Sequence, residues 1–138
     1  FLFRDFYHIK RGAAVVSYIQ QKTNSHLQEV IYMALSHLTS ADFDQAVNAG
    51  DDVVVVDFFA TWCGPCKAMH PVLEELKNEI GDAARIAKID VDQHEELATS
   101  YRIQAVPTFI IFKKGEAVWR HSGVISGKDL KAVIEKNS

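Results

Sequence analysis

The chain of 138 residues is 48% hydrophobic and 24% charged, which fits one globular domain with its own core and excludes a chain that is mainly disordered. Its net charge of -3 and the dispersal of its basic residues argue against a nucleic-acid partner. The apolar runs at residues 53–56 and 109–112 are far shorter than the ~20 residues that span a bilayer, so we expect no membrane partner.

The first 32 residues differ in charge from the rest of the chain. Residues 1–35 hold four basic and two acidic residues, which leaves 11 basic and 16 acidic residues, a net charge of -5, for the remainder. We therefore expect a helical extension of unknown role at 1–32 and a folded domain at 33–138. Arg4, Lys10 and Arg11, with helically spaced apolar residues, resemble an organellar presequence. The alternative is a helix that packs on the domain or on a second copy, which would make the protein an oligomer.

The first predicted elements after the extension are a helix and a buried strand. Thr39 and Ser40 can cap a helix that runs to about residue 48, with Phe43 and Val47 on its inner face. Residues 53–60 are apolar without alternation and rich in β-branched side chains. This pattern predicts a strand that is covered on both faces.

A long helix and a second inner strand follow. The helix is predicted over residues 63–80, and Pro71 should kink it because proline lacks an N–H and its ring crowds the preceding turn. Residues 85–91 alternate well enough for a strand, after which Asp92 and Glu95 can cap a short helix.

A hairpin and a last helix complete the predicted elements. Strands at 108–112 and 117–121 are joined by a turn containing Gly115, where a positive φ costs little. Ser126 and Asp129 can cap the final helix. Helices and strands that alternate in this way are typical of an α/β fold.

The two cysteines of the chain form one C-x-x-C motif, so no separate disulfide framework can exist. The motif follows a strand and opens a helix. Cys63 lies at the helix N-terminus, where unpaired N–H groups and the helix dipole lower the pKa of a thiol, and we expect it to be an exposed nucleophile. Cys66, one turn later, can attack the mixed disulfide that Cys63 forms. This chemistry needs no bound cofactor.

Two other uses of a C-x-x-C motif fit the sequence poorly. A zinc site needs four ligands at fixed spacing, whereas His70, His94 and His121 are scattered singly and no second C-x-x-C exists. We expect no metal, and we assign these histidines to packing or to the surface. Covalent haem attachment needs a histidine directly after the second cysteine, where the chain has Lys67.

The run VDFFATWCGPCK at residues 56–67, followed by Pro71 and by Val106-Pro107-Thr108, resembles the thioredoxin family over residues 36–138. The resemblance implies a thioredoxin fold, in which helices flank both faces of a central mixed five-stranded sheet. The first strand would come from residues before Leu38. It also implies a protein-disulfide reductase that a thioredoxin reductase keeps reduced.

The resemblance assigns further roles. Pro107 would be a cis-proline opposite the cysteines, and the backbone beside it, at Val106, would pair with an extended substrate segment. Asp57 interrupts an apolar strand, where a carboxyl group tends to stay protonated. It matches the family's buried aspartate, which would exchange a proton with Cys66, and Lys88 matches the lysine near it.

A flat apolar rim for docking partner proteins would surround the cysteines. The resemblance places four further residues there: Trp62, Gly64, Pro65 and Gly123. Because Trp62 directly precedes the helix start, we expect it at the surface.

Two other functions compete with disulfide reduction. One is a thioredoxin-fold binding module without redox turnover. The other is an oxidase or isomerase, which Gly64-Pro65 disfavours because related oxidising pairs enclose a histidine. A single redox pair suits a reducing compartment, so we expect the cytoplasm, or an organelle if residues 1–32 are a targeting segment.

Overall fold

Four strands form one mixed sheet in the part of the chain that this computed structural model describes, residues 40–48 and 50–138. They are β1 (Val53–Phe59), β2 (Ala84–Asp90), β3 (Thr108–Lys113) and β4 (Glu116–Ser122), in the spatial order β2-β1-β3-β4. β1 is parallel to β2 and antiparallel to β3, and β3 is antiparallel to β4. The mixed sheet of the predicted fold is therefore present.

Three predictions fall on residues outside the described ranges. These are the fifth strand before Leu38, the helical extension at 1–32 and the boundary between residues 32 and 33. The described residues all belong to the unit Tyr32–Ser138.

Four helices accompany the sheet in the described ranges: α1 (Ser40–Asn48), α2 (Gly64–Ile80), α3 (Glu95–Ser100) and α4 (Gly127–Asn137). α2 continues through Pro71, so the proline does not end it, and a 3₁₀ turn (Gly81–Ala83) follows. The N-cap of α4 is Ser126 as predicted, and its hydroxyl accepts a hydrogen bond from the Asp129 N–H at 3.1 Å. None of these helices is long and apolar enough to cross a membrane.

The predicted cap of α3 is wrong. The residue at its N-cap is His94, whose side chain makes no capping hydrogen bond, and Glu95 is already the first residue of the helix. Asp92 instead accepts a hydrogen bond from the side chain of Trp62. Asp92 also lies two residues before the N-cap, outside the position from which a side chain caps a helix.

β1 is buried on both faces, which explains its uninterrupted apolar sequence. On one face, Val53 and Val55 share a core cluster with Met69 and Leu73 of α2 and with side chains of α4. On the other face a second cluster brings together side chains of β1, α1 and α3: Val54, Val56, Phe58, Phe43, Val47 and Leu97. Burial of each large apolar side chain contributes roughly 1.5–3 kcal/mol, so this two-sided core stabilises the strand that precedes the cysteines.

The hairpin turn uses the left-handed conformation at two successive residues. Lys114 has a φ of 51° and Gly115 a φ of 79°, the pattern of a type I′ turn. A side chain at Gly115 would also collide with Asn48. Glycine adopts this backbone angle without strain, whereas a larger residue would be strained and would also have to displace the exposed side chain of Asn48.

Candidate active site

The cysteine pair lies where β1 ends and α2 begins. Cys63 is the N-cap residue of α2, and Pro65 occupies the first turn, where a missing N–H costs no hydrogen bond. Cys63 Sγ accepts a hydrogen bond from the Cys66 N–H at 3.1 Å. An N–H donor and the positive end of the helix dipole therefore both point at this sulfur.

A disulfide joins Cys63 and Cys66, whose Cα atoms are 5.3 Å apart. In this oxidised state both residues are buried, with 4% of Cys63 and 2% of Cys66 exposed. Exposure therefore does not distinguish Cys63 from Cys66 in the oxidised protein, and an exposed Cys63 thiolate in the reduced protein stays a prediction. What distinguishes the two cysteines is the cap position of Cys63.

The loop before β3 closes over the disulfide. The peptide bond between Val106 and Pro107 is cis, as the resemblance implied. The Val106 carbonyl oxygen lies 3.6 Å from Cys63 Sγ, and the Pro107 carbonyl accepts a hydrogen bond from the Gly123 N–H at 2.8 Å. Of the predicted substrate-binding residues, Val106 therefore lies next to Cys63, and Pro107 and Gly123 are connected to it through the peptide bond and the hydrogen bond.

Asp57 lies in the middle of β1 with no exposed surface, and neither of its carboxyl oxygens has a hydrogen-bond partner among the described residues. Removal from water penalises the charged form and raises the pKa of Asp57 from 3.8 to about 7. The positive charge of Lys88, which is in register with Asp57 on β2, opposes this rise. The carboxyl group can therefore gain or lose a proton near neutral pH.

Lys88 is half-buried, and its ammonium group lies 4.3 Å from the centre of the Phe59 ring. Burial lowers the pKa of Lys88, while the negative charges of Asp57 and Glu74 raise it. The ammonium group is also 3.5 Å from Nδ1 of His70. The aromatic face and the neighbouring acids compensate in part for the water that this cation has lost.

Three of the four residues predicted for the docking rim are exposed, and Gly123 is half-buried. Trp62 is 70% exposed, as expected, and its indole N–H donates a hydrogen bond to Asp92 Oδ2 at 2.9 Å. Gly64 and Pro65 are exposed as well. The hydrogen bond restricts a large apolar ring that would otherwise move freely in solvent.

Comparison with known proteins agrees with this geometry. The Thioredoxin family model matches residues 34–136. The chain belongs to the thioredoxin family.

Relatives within the family align over most of this thioredoxin chain. It is 43% identical to the thioredoxin of Staphylococcus epidermidis over 105 residues, 76% of this chain and 99% of that protein. It is 41% identical over 97 residues to "Thioredoxin Y, chloroplastic" of Oryza sativa subsp. japonica, covering 70% of this chain but only 58% of that protein. The X-ray structure of Fasciola hepatica thioredoxin superimposes with a TM-score of 0.68 at 41% identity, covering 74% of this chain and 97% of that structure.

The family and the paired cysteines make this thioredoxin a thiol–disulfide oxidoreductase. Thioredoxins in general act on protein disulfides and are reduced by a thioredoxin reductase. No group of three or more His, Cys, Asp or Glu side chains is arranged for a metal ion within the described ranges.

Two parts of this thioredoxin site were missed from the sequence. His70 lies between Lys88 and Glu74, with its Nε2 3.0 Å from Glu74 Oε1. Their spacing of four residues, which places both on one face of α2, was the available signal. Val124, next to Gly123 in the sequence, is an exposed apolar side chain, with 59% of its surface accessible. An apolar residue after a glycine in the loop between β4 and α4 could have indicated it.

Proposed function

We propose that the chain is a protein-disulfide reductase in which Cys63 is the nucleophile and Cys66 the resolving thiol. The observation that carries this proposal is the hydrogen bond from the Cys66 N–H to Cys63 Sγ at the start of α2. In the reduced protein the same donor and the helix dipole stabilise a thiolate at Cys63. Cys66 lies within the first turn and has no equivalent position.

The reaction proceeds by two exchanges of sulfur partners. The Cys63 thiolate attacks one sulfur of a substrate disulfide, so that a mixed disulfide forms and the other substrate sulfur leaves as a thiolate. The Cys66 thiolate then attacks Cys63 Sγ, which forms the Cys63–Cys66 disulfide and releases the second substrate thiol. The substrate gains two electrons and the dithiol loses them, and a thioredoxin reductase restores the dithiol.

Asp57 is proposed as the group that takes the proton from Cys66. A pKa of about 7 allows its carboxylate to accept a proton at neutral pH, and its burial keeps competing water away. Lys88 is proposed to set how readily it does so, because the ammonium charge favours the ionised carboxylate.

The substrate is proposed to dock as an extended segment on the apolar rim. Trp62, Gly64 and Pro65 are exposed next to the cysteines in the sequence, and the Val106 carbonyl oxygen of the loop before β3 lies 3.6 Å from Cys63 Sγ. Because the Val106 carbonyl lies beside Cys63, a segment bound there would place its disulfide close to the Cys63 sulfur. Gly123 is proposed to complete the rim because it has no side chain that would block it.

The competing function is a binding module without redox turnover. Insulin reduction, measured with dithiothreitol and separately with a thioredoxin reductase and NADPH, tests the two functions against each other. We expect turnover well above the buffer blank in both assays. Turnover equal to the blank with dithiothreitol present would favour the binding module instead.

For the rest of the chain we propose an extension at 1–32 attached to a thioredoxin domain at 33–138, acting in the cytoplasm. The single redox pair supports a reducing compartment. An organelle is the alternative, because one relative is named chloroplastic and Arg4, Lys10 and Arg11 suit a presequence. Fluorescent fusions of residues 1–138 and 33–138 would separate these locations in cells, and sedimentation of both chains would test whether the extension forms an oligomer.

A further inference from the structure

His121, for which the sequence indicated no role, contacts the loop that follows β4. Its Nε2 lies 3.2 Å from the carbonyl oxygen of Val124. A carbonyl oxygen only accepts hydrogen bonds, so the ring nitrogen must carry the proton. The Nε2–H tautomer and the imidazolium ion both supply this donor, whereas the Nδ1–H tautomer does not.

The imidazole ring is held from behind by a second aromatic ring. Trp119 and His121 are two residues apart on β4 and therefore lie on the same face of the strand. Their rings are stacked, with centroids 5.8 Å apart and an angle of 6° between the planes. Trp119 itself packs against the core cluster that includes residues of α2 and α4. The ring that carries the donor nitrogen therefore stacks on a tryptophan that is itself packed against the core.

The loop between β4 and α4 is fixed at two successive residues. The Gly123 N–H donates to the carbonyl of Pro107, and His121 donates to the carbonyl of Val124. Gly123 has a φ of 99°, a conformation that glycine adopts without strain. The chain therefore turns sharply at Gly123 and leaves the side chain of Val124 exposed.

We propose that His121 is a positioning residue for protein substrates. Its hydrogen bond holds the backbone of Val124 so that the exposed valine side chain meets an apolar side chain of a bound segment. This role of His121 applies to extended protein substrates. A small disulfide would reach the cysteines without contacting the loop that contains Val124. The proposal rests on the proposed docking of substrates on the apolar rim.

Two substitutions separate the hydrogen bond from the stacking. His121→Ala removes both, and His121→Phe keeps an aromatic ring against Trp119 but has no donor. With insulin as substrate we expect KM to rise about fivefold in both variants, as for the loss of one hydrogen bond, with kcat unchanged. With a small disulfide such as oxidised glutathione we expect rates within about twofold of the parent, since that substrate does not use the loop.

The tautomer of His121 provides a measurement without any variant. We expect nitrogen NMR of the parent protein to show Nε2 protonated in the neutral ring. A neutral Nδ1–H tautomer would overturn the proposal. This measurement also decides the question if His121→Ala fails to fold.

Two exposed valines provide a test variant and its matched control. Val124→Ser alters the proposed contact itself and should raise the insulin KM, whereas Val118→Ser should not. Val118 is 44% exposed but lies near the hairpin end of β4, while Ser122 at the other end pairs with Thr108 beside the cis-proline. If Val124→Ser raises KM and the His121 variants do not, the role of His121 is wrong and docking on the rim stands. If none of the three changes KM, the rim at Val124 is wrong as well.

Discussion

Asp57 and Lys88 lie opposite each other in register on the parallel strands β1 and β2, with the carboxyl group fully buried and the lysine half-buried. Neither carboxyl oxygen has a hydrogen-bond partner among the described residues, so the lysine acts on the carboxyl group through its charge. Burial favours the protonated carboxyl group and the lysine favours the ionised one. The balance raises the pKa of Asp57 to about 7.

The buried carboxyl group should make the stability of the oxidised protein depend on pH. Folding raises the pKa of Asp57 from 3.8 to about 7, so the folded chain keeps a proton that the unfolded chain releases. The stabilising contribution of this proton is complete below pH 3.8. It decreases as the pH rises from 3.8 and is lost once the pH passes about 7. The loss amounts to about 4 kcal/mol relative to Asp57→Asn, which has no proton to lose. Urea unfolding of both proteins from pH 4 to 8.5 measures it, and parallel pH profiles would contradict it.

Removal of the lysine charge should raise the pKa of Asp57 further. In Lys88→Gln only burial acts on the carboxyl group, so we expect its titration midpoint above about 7. Lys88→Arg keeps a positive charge and serves as the control, with a midpoint closer to that of the parent. Carboxyl carbon NMR of reduced protein gives all three midpoints. A Lys88→Gln midpoint equal to or below that of the parent would show that the lysine does not act on Asp57.

Asp57→Asn should slow the Cys66 step more than the attack by Cys63. We expect the resolving step to fall about 100-fold, at the lower end of what general acid–base catalysis contributes. Combining Asp57→Asn with Cys66→Ser isolates the first attack, because no second step can follow. Rapid-quench measurements on the single and double variants then give each rate. Equal slowing of both steps would remove Asp57 from proton transfer to Cys66.

Local patterns in the sequence were sufficient to predict the elements that place the cysteines. The apolar run of β1, the cap at Ser126 and the glycine in the hairpin turn each depend on near neighbours in the chain. The cis bond before Pro107 and the exposure of Trp62 followed from the resemblance and from position.

Contacts between distant residues could not be predicted in this way. Asp92 accepts a hydrogen bond from the side chain of Trp62, which lies 30 residues away in the sequence. The contact between His70 and Lys88 joins α2 to β2, and the Val106 carbonyl beside Cys63 comes from a loop 43 residues away. Such pairs depend on how the elements pack, which the spacing of residues along one element does not record.

Deletion of residues 1–32 should leave disulfide reduction largely intact. Every proposed site residue lies beyond residue 56, and the described core clusters involve residues from Phe43 onward. Insulin turnover and the thermal midpoint of residues 33–138, compared with the full chain, check this prediction. A truncated chain that fails to fold would show that the extension is structural. An intact fold with half the mass in solution would identify the extension as an oligomerisation element.

The two cysteines should respond oppositely to the same substitution. Cys63→Ser removes the sulfur that accepts the hydrogen bond at the helix N-terminus, so we expect no covalent adduct with a substrate disulfide. Cys66→Ser keeps that sulfur and lacks only the resolving thiol. The mixed disulfide at Cys63 should therefore accumulate and survive non-reducing electrophoresis.

Burial in the oxidised state does not separate the two sulfurs, so the test addresses the cap position directly. Mass spectrometry of the trapped adduct locates the linked cysteine, and the Cys63→Ser/Cys66→Ser double variant gives the background. Adduct formation in Cys63→Ser equal to that in Cys66→Ser would show that either sulfur can attack. In that case the N-terminus of α2 would not determine which cysteine reacts first, although the disulfide and the fold would be unchanged.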